Sequence, residues 1–202
     1  MSIALFGGSF NPIHKGHVNL AKSVIDSHIG ADRIIIMPTY ISPFKQGADN
    51  VEDGKHRTEM CRLAFEGMDN VTVSDHELSQ GGVSYTVNTL KYLRELYPDE
   101  RLWLIVGSDS LDSLPRWYRF EEIMSLCSVA AAARSDEDIL KIEEFAVKVR
   151  KFGTVETVKT VPFEISSTEI RKKILNNEDI SCYLPENVVK YILCNQLYMK
   201  RS

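Results

Sequence analysis

Gly7-Gly8-Ser9-Phe10-Asn11-Pro12-Ile13-His14-Lys15-Gly16-His17 is the stretch on which the fold of this 202-residue chain turns. It follows the apolar run Ile3-Ala4-Leu5-Phe6 and precedes an amphipathic run over 18–29. That order reads as strand, glycine-rich turn, helix. Gly7 and Gly8 let the backbone turn sharply and approach a ligand closely, and Asn11-Pro12 is a turn signal. Gly16 and His17 fall where the helix begins, so unpaired N–H groups and the positive end of the dipole face the same space as the imidazoles of His14 and His17. A helix start of this kind suits phosphate. The pattern is neither the dinucleotide fingerprint G-x-G-x-x-G nor a Walker A loop. A tight strand-to-helix turn with two locally satisfied histidines is the plainer alternative.

Working outward, strand-like and helix-like segments alternate. Residues 33–37 (RIIIM) form a continuous apolar run, as a buried parallel strand does, and Pro38 ends it. The polar loop 39–54 that follows carries Lys45, which could bind an anion or simply be solvated. A helix is expected over 56–67, ending at a glycine cap, then a short strand over 71–73 and a polar connection over 75–83. Ser84-Tyr85-Thr86 opens the next helix, to about residue 97, with Ser84 or Thr86 as its cap; its free N–H groups suit a carboxylate, though simple capping explains them equally.

Residues 102–106 (LWLIV) are the most strand-like run and end in a small polar turn, Gly107-Ser108-Asp109-Ser110. In Pro115-Arg116-Trp117-Tyr118-Arg119, two aromatics between arginines could stack a heteroaromatic ring or could be core. A strand over 127–133, an outer charged helix over 136–151 and a last strand over 154–161 precede Ile165-Ser166-Ser167-Thr168-Glu169-Ile170-Arg171. Here three hydroxyl residues open a helix, and Thr168 and Arg171 lie one turn apart, able to face one point and grip a polyphosphate; an ordinary Ser/Thr cap is the alternative. A closing helix spans 185–193, with Pro185 in its first turn.

The alternation implies an α/β fold, Rossmann-like and doubly wound, with a mostly parallel sheet and helices on both faces, in one domain over 1–202. Ligands of such sheets bind beyond the strands' C-terminal ends, where the strand order reverses. Order 3-2-1-4-5 would bring the turn 7–17 and the loop 107–110 side by side. A net charge of −4 and a pI near 5.8 do not favour a nucleic-acid partner. Four scattered cysteines without C-x-x-C read as reduced thiols rather than a disulfide framework or zinc site. No apolar run reaches membrane-spanning length, so the expected setting is cytoplasmic, with no membrane partner.

GGSFNPIHKGH, GVSYTVNTL, VGSDSLDSLPRWY, ISSTEIR and YLPENVVKYI, in this order over about 2–198, resemble the bacterial nicotinate-nucleotide adenylyltransferase family, within the H-x-G-H nucleotidyltransferases. The resemblance implies that ATP, taken with Mg2+, adenylylates nicotinate mononucleotide in NAD biosynthesis, giving deamido-NAD and pyrophosphate without a side-chain base or covalent intermediate. It implies that His14 and His17 contact the ATP phosphates, His17 nearest the α-phosphate, and that Gly7, Gly8, Ser9, Phe10 and Gly16 line the ATP site. Gly107 and Asp109 would hold the ribose side. Ser166, Ser167, Thr168 and Arg171 would bind the β- and γ-phosphates, which gives Arg171 a catalytic part beside His14 and His17. Trp117 would stack on the nicotinate ring, the N–H groups of Thr86 and Tyr118 would receive its carboxylate, and Ser84, Tyr85 and Lys45 would complete the acceptor site. No protein-held metal is implied, and a homo-oligomer is compatible with it.

One segment departs from the family's pattern. Phe44 stands where a phosphate-contacting histidine is usual, and Thr39 and Tyr40 replace polar amides, while Lys45 is retained; Lys45 would then carry more of that role. Competing readings are a nicotinamide-mononucleotide or dual-specificity enzyme, another H-x-G-H transferase, and a non-catalytic nucleotide-binding module on the same fold.

Overall fold

The computed structural model describes residues 1–43 and 51–199. Six strands, β1 Ser2–Gly8, β2 Arg33–Pro38, β3 Val71–Val73, β4 Arg101–Gly107, β5 Ser128–Ala133 and β6 Val155–Lys159, form one sheet in the order β3-β2-β1-β4-β5-β6. Every neighbouring pair is parallel. The 3-2-1-4-5 order, which the sequence pattern left open, is present, with β6 added beyond it. The connections are helices α1 Lys15–Ile25, α2 Gly54–Ala64, α3 His76–Gln80, α4 Thr86–Leu96, α5 Ser108–Leu111, α6 Phe120–Leu126, α7 Asp136–Val149, α8 Ser167–Leu175 and α9 Glu186–Cys194, and a 3-10 turn at Leu114–Arg116.

Alternation along the strands splits the core in two. Phe6, Ile34, Ile36, Trp103 and Ile105 pack one way against Val18 and Val24 of α1, Met60 of α2, Ile170 of α8 and Val188 of α9. Leu5, Ile35, Met37, Leu104 and Val106 pack the other way against Val87, Leu90 and Leu93 of α4, Ile123 of α6 and Phe145 of α7. Each large apolar side chain sealed there contributes roughly 1.5–3 kcal/mol relative to exposure. Covered on both faces, the central strands β1, β2 and β4 carry no polar side chain after their first residue, which is why they read as continuous runs. Among the described residues no helix is long and apolar enough to cross a membrane, and Cys61, Cys127, Cys182 and Cys194 are all free thiols.

The differences from the sequence expectations lie in short pieces. The polar connection 75–83 contains α3, the polar turn after β4 is the four-residue α5, and α6 fills a segment with no assigned element. None is long enough for a helical period to emerge above chance, and each is held by tertiary burial, of Glu77, of Leu111 and of Phe120, Ile123 and Met124. Helix α1 begins at Lys15, three residues before the amphipathic run, because His14 caps it. Neither Ser84 nor Thr86 caps α4: Tyr85 holds the cap position without a side-chain bond and Thr86 is the first helical residue.

Candidate active site

The register sets the C-terminal edge: Gly8 pairs with Pro38 on one side of β1, and β1 pairs with β4 on the other. The chain reverses direction across β1, the position where open sheets bind ligands. Gly7 is exposed there, while Gly8 faces the Phe10 ring, which would stand 3.0 Å from an added Cβ. Phe10 itself is buried at a positive φ of 43° and packs edge-on to Phe6 and His17. Its side chain is core, leaving only its backbone for a ligand.

The turn is tied down from behind. Arg171 Nη1 donates to the Asn11 carbonyl at 2.7 Å, and Ser167 Oγ to that of Pro12 at 2.9 Å. The Tyr198 hydroxyl and the Glu52 N–H both donate to Asn11 Oδ1. Arg57, only 2% exposed, donates from Nη1 to the Ser9 carbonyl at 2.8 Å and from Nε to that of Glu52 at 2.9 Å. Carbonyls held inward in this way leave the turn's N–H groups for the open side.

His14 and His17 come together as expected, ring centroids 3.8 Å apart. His17 Nδ1 accepts from the His14 N–H at 3.2 Å, so a neutral His17 carries its proton on Nε2, as a donor. His14 is buried, its Nδ1 has no hydrogen-bond partner among the described residues, and burial lowers its pKa to about 4. It is neutral at pH 7. Gly16 makes room for this ring, since an added Cβ would lie 3.0 Å from it.

At α8 the hydroxyls divide. Ser166 caps the helix, accepting from the Glu169 N–H while its own N–H donates to Glu169 Oε2. Ser167 is spent on Pro12. Thr168 is exposed and accepts from Arg171 Nη2 at 3.2 Å, so the pair predicted to face one point does so. The cap is thus supplied by Ser166, while Thr168 and Arg171 are left side by side at the exposed face of the helix start. Gly107 ends β4, and Asp109 at the start of α5 pairs with Arg134 at 2.6 Å.

Across the edge, Gly7, Gly8 and Ser9 share a cavity of about 470 Å3 with Ser84, Tyr85, Thr86, Trp117 and Tyr118. Trp117 is half-buried, Tyr118 is 52% exposed, and Tyr118 packs on Tyr85 at 4.7 Å between ring centroids. Both line the cavity, and Trp117 also packs against the core beneath it. Ser84 Oγ accepts from the Tyr40 N–H and its N–H donates to the Ile41 carbonyl, both at 2.9 Å, pinning the loop after β2 to the start of α4. Lys45 and Phe44 lie outside the described residues. Sequence reasoning missed Arg57, Glu77, Arg134 and Tyr198. Arg57 had a signal, lying three residues before Met60 on the buried face of α2; the others had none in local pattern.

The model of the cytidylyltransferase-like family matches residues 5–173. Two curated relatives carry the name "Probable nicotinate-nucleotide adenylyltransferase". That of Fusobacterium nucleatum is 36% identical over 95% of this chain and 97% of its own, and that of Borreliella burgdorferi is 34% identical over 100% and 98%. Among solved structures, the Plasmodium falciparum nicotinic acid mononucleotide adenylyltransferase complexed with NaAD superposes with a TM-score of 0.76 over 98% of this chain and 97% of that one, at 22% identity, which speaks to fold alone. With the family model spanning most of the chain and full-length relatives above 30% identity, the chain belongs to the nicotinate-nucleotide adenylyltransferase family of cytidylyltransferase-like nucleotidyltransferases.

Proposed function

We propose that this chain, acting as one domain over 1–202 in the cytoplasm, transfers the adenylyl group of ATP to nicotinate mononucleotide, releasing deamido-NAD and pyrophosphate in NAD biosynthesis. The observation that carries this reading is the cavity that runs from Gly7, Gly8 and Ser9 to Thr86, Trp117 and Tyr118. It joins a phosphate-suited turn to a ring-and-carboxylate subsite, as an acceptor bearing both groups requires. The acceptor's 5'-phosphate, largely dianionic with a second pKa of about 6, attacks the α-phosphorus of ATP in line. A new P–O bond forms, the bond to the β-phosphate bridge breaks, and pyrophosphate leaves. No side chain has to remove a proton, so the protein's work is positioning and charge stabilisation. His17 donates from Nε2 to the α-phosphate, and Thr168 and Arg171 meet the charge that develops on pyrophosphate. Gly107 and Asp109 hold the ribose. Trp117 stacks on the pyridinium ring, and the Thr86 and Tyr118 N–H groups take the carboxylate; a carboxamide presents its own N–H donors to them and is disfavoured.

Mg2+ belongs to the substrate in this reading. Among the described residues no group of three or more His, Cys, Asp or Glu could hold a metal, and the exposed Asp109 carboxylate is already paired with Arg134. That donor set fits a Mg2+ carried on the ATP phosphates with its waters, where it neutralises phosphate charge.

The test is pyrophosphate release with ATP and Mg2+, comparing kcat/KM for nicotinate and nicotinamide mononucleotides. A preference for the acid of about a hundredfold or more, about 2.7 kcal/mol, is expected. Equal rates indicate a dual-specificity enzyme, and no release with either overturns the reading.

A further inference from the structure

A carboxyl group stands in the wall of a pocket read as receiving a carboxylate. Glu77 lies on α3, is 8% exposed and lines the same 470 Å3 cavity as Ser84, Thr86 and Trp117. Its Oε1 accepts from Thr89 Oγ1 of α4 at 2.5 Å, one turn past the Thr86 N–H. The Ser84 hydroxyl stands beside the carboxyl and, like Thr89, favours its charged form, but Oε2 has no well-formed hydrogen bond with any described residue. Among the described residues no cation forms an ion pair with it. On its own helix is His76, stacked on Tyr92. On α4 are Lys91 and Glu95, and Lys91 is drawn off by Glu122 at 2.7 Å. Arg116, Tyr85 and Tyr118 share the cavity wall. Burial accordingly pushes its pKa up. Two carboxylates cannot both stay ionised at close quarters in such a site without a cation between them.

We propose that Glu77 is a specificity-determining residue of the acceptor pocket, whose buried carboxyl takes up a proton from solvent when a carboxylate-bearing acceptor binds beside it, so that discrimination between acid and amide acceptors weakens as pH rises. The proposal rests on the acceptor assignment above. A neutral amide ring does not oppose an ionised Glu77, so its binding carries no such linkage.

The test is the ratio of kcat/KM for nicotinate over nicotinamide mononucleotide from pH 6 to 8.5. Both acceptors carry the same phosphate, so its titration cancels. In the wild type the ratio falls, at the limit by about tenfold per pH unit for one linked proton. In Glu77→Gln, which keeps the acceptor oxygen for Thr89, the ratio is flat and the KM for ATP unchanged. Calorimetry of wild-type enzyme in two buffers of different ionisation enthalpy gives a second readout that needs no variant: more proton uptake with the acid than with the amide. A ratio flat with pH in the wild type, an equal slope in Glu77→Gln, or equal proton uptake for the two acceptors overturns the proposal. Failure of the functional reading shows elsewhere, as a ratio below one at every pH or no turnover with either acceptor.

Discussion

The two ends of the cleft are built by opposite means. At the phosphate end, one contiguous turn presents its backbone, and two helix starts, α1 and α8, converge on it. Its carbonyls are fastened by Arg57, Arg171 and Ser167, and Asn11 Oδ1 by Tyr198. At the acceptor end, the wall is assembled from α3, the residues before α4, the 3-10 turn and the Trp117-Tyr118 pair, where Ser84 bonds Tyr40 and Ile41 and Glu77 bonds Thr89. On the proposed function, the side-chain bonds to the turn's carbonyls fall where the charge to be stabilised is largest and where misplacement costs most. On the same reading, the acceptor end has to choose between two ring substituents.

The sharpest way to break this contrast is at His17. If the phosphate end carries the chemistry, His17→Ala loses turnover on the order of 100–1000-fold, the scale of removing one preorganised donor, while the circular dichroism spectrum and the KM for the acceptor stay close to wild type. Near-normal turnover would move the chemistry away from the turn.

His14 tests the same end through stability. Its folded pKa is about 4 against an ordinary 6.5. Above pH 6.5 both folded and unfolded states hold the ring neutral, and stability is at its full value. As pH falls toward 4 the unfolded chain takes a proton that the folded ring refuses, so stability drops, on the order of 3 kcal/mol in all. The difference in unfolding free energy between wild type and His14→Asn should therefore shrink from pH 7 to pH 4. A difference constant across that range would mean the ring is not buried neutral.

The same contrast explains what was legible in the sequence. Residues 7–17 carry their function locally, as a glycine turn, a proline and two histidines three apart, and the central strands announce burial on both faces by continuous runs of Ile, Leu and Val. Thr168 and Arg171 are legible for the same reason, sitting one helical turn apart. The acceptor end is not local. Glu77 is an acid in a polar stretch until α4 folds over it, and the N–H donors of Thr86 and Tyr118 are backbone groups that any residue would supply. Ser84 reads as a helix cap, and only the arrival of Tyr40 from beyond β2 gives its oxygen a different partner. Arg57 sits at a buried-face position of α2, but the carbonyl of Ser9 that it meets comes from a distant part of the chain.

That reassignment of Ser84 supplies the gentlest test. Ser84→Ala removes the acceptor for the Tyr40 N–H but leaves the Ser84 N–H bond to Ile41 and the Ile41–Val83 bridge in place. Ser84 and Tyr40 are only partly covered, so water can meet the released N–H. The loss at Tyr40 is then that of one ordinary hydrogen bond, about 0.5–1.5 kcal/mol, and the hydroxyl's support of the ionised Glu77 goes with it. Because the bond joins the two sides of the acceptor wall, the loss should fall on the acceptor: its KM rises by about two- to tenfold, with the KM for ATP unchanged. The asymmetry is what matters. The cavity is continuous from Ser84 to Gly8, so a rise in both KM values would show that strain at one end reaches the other. The turn would then depend on the acceptor wall rather than standing apart from it.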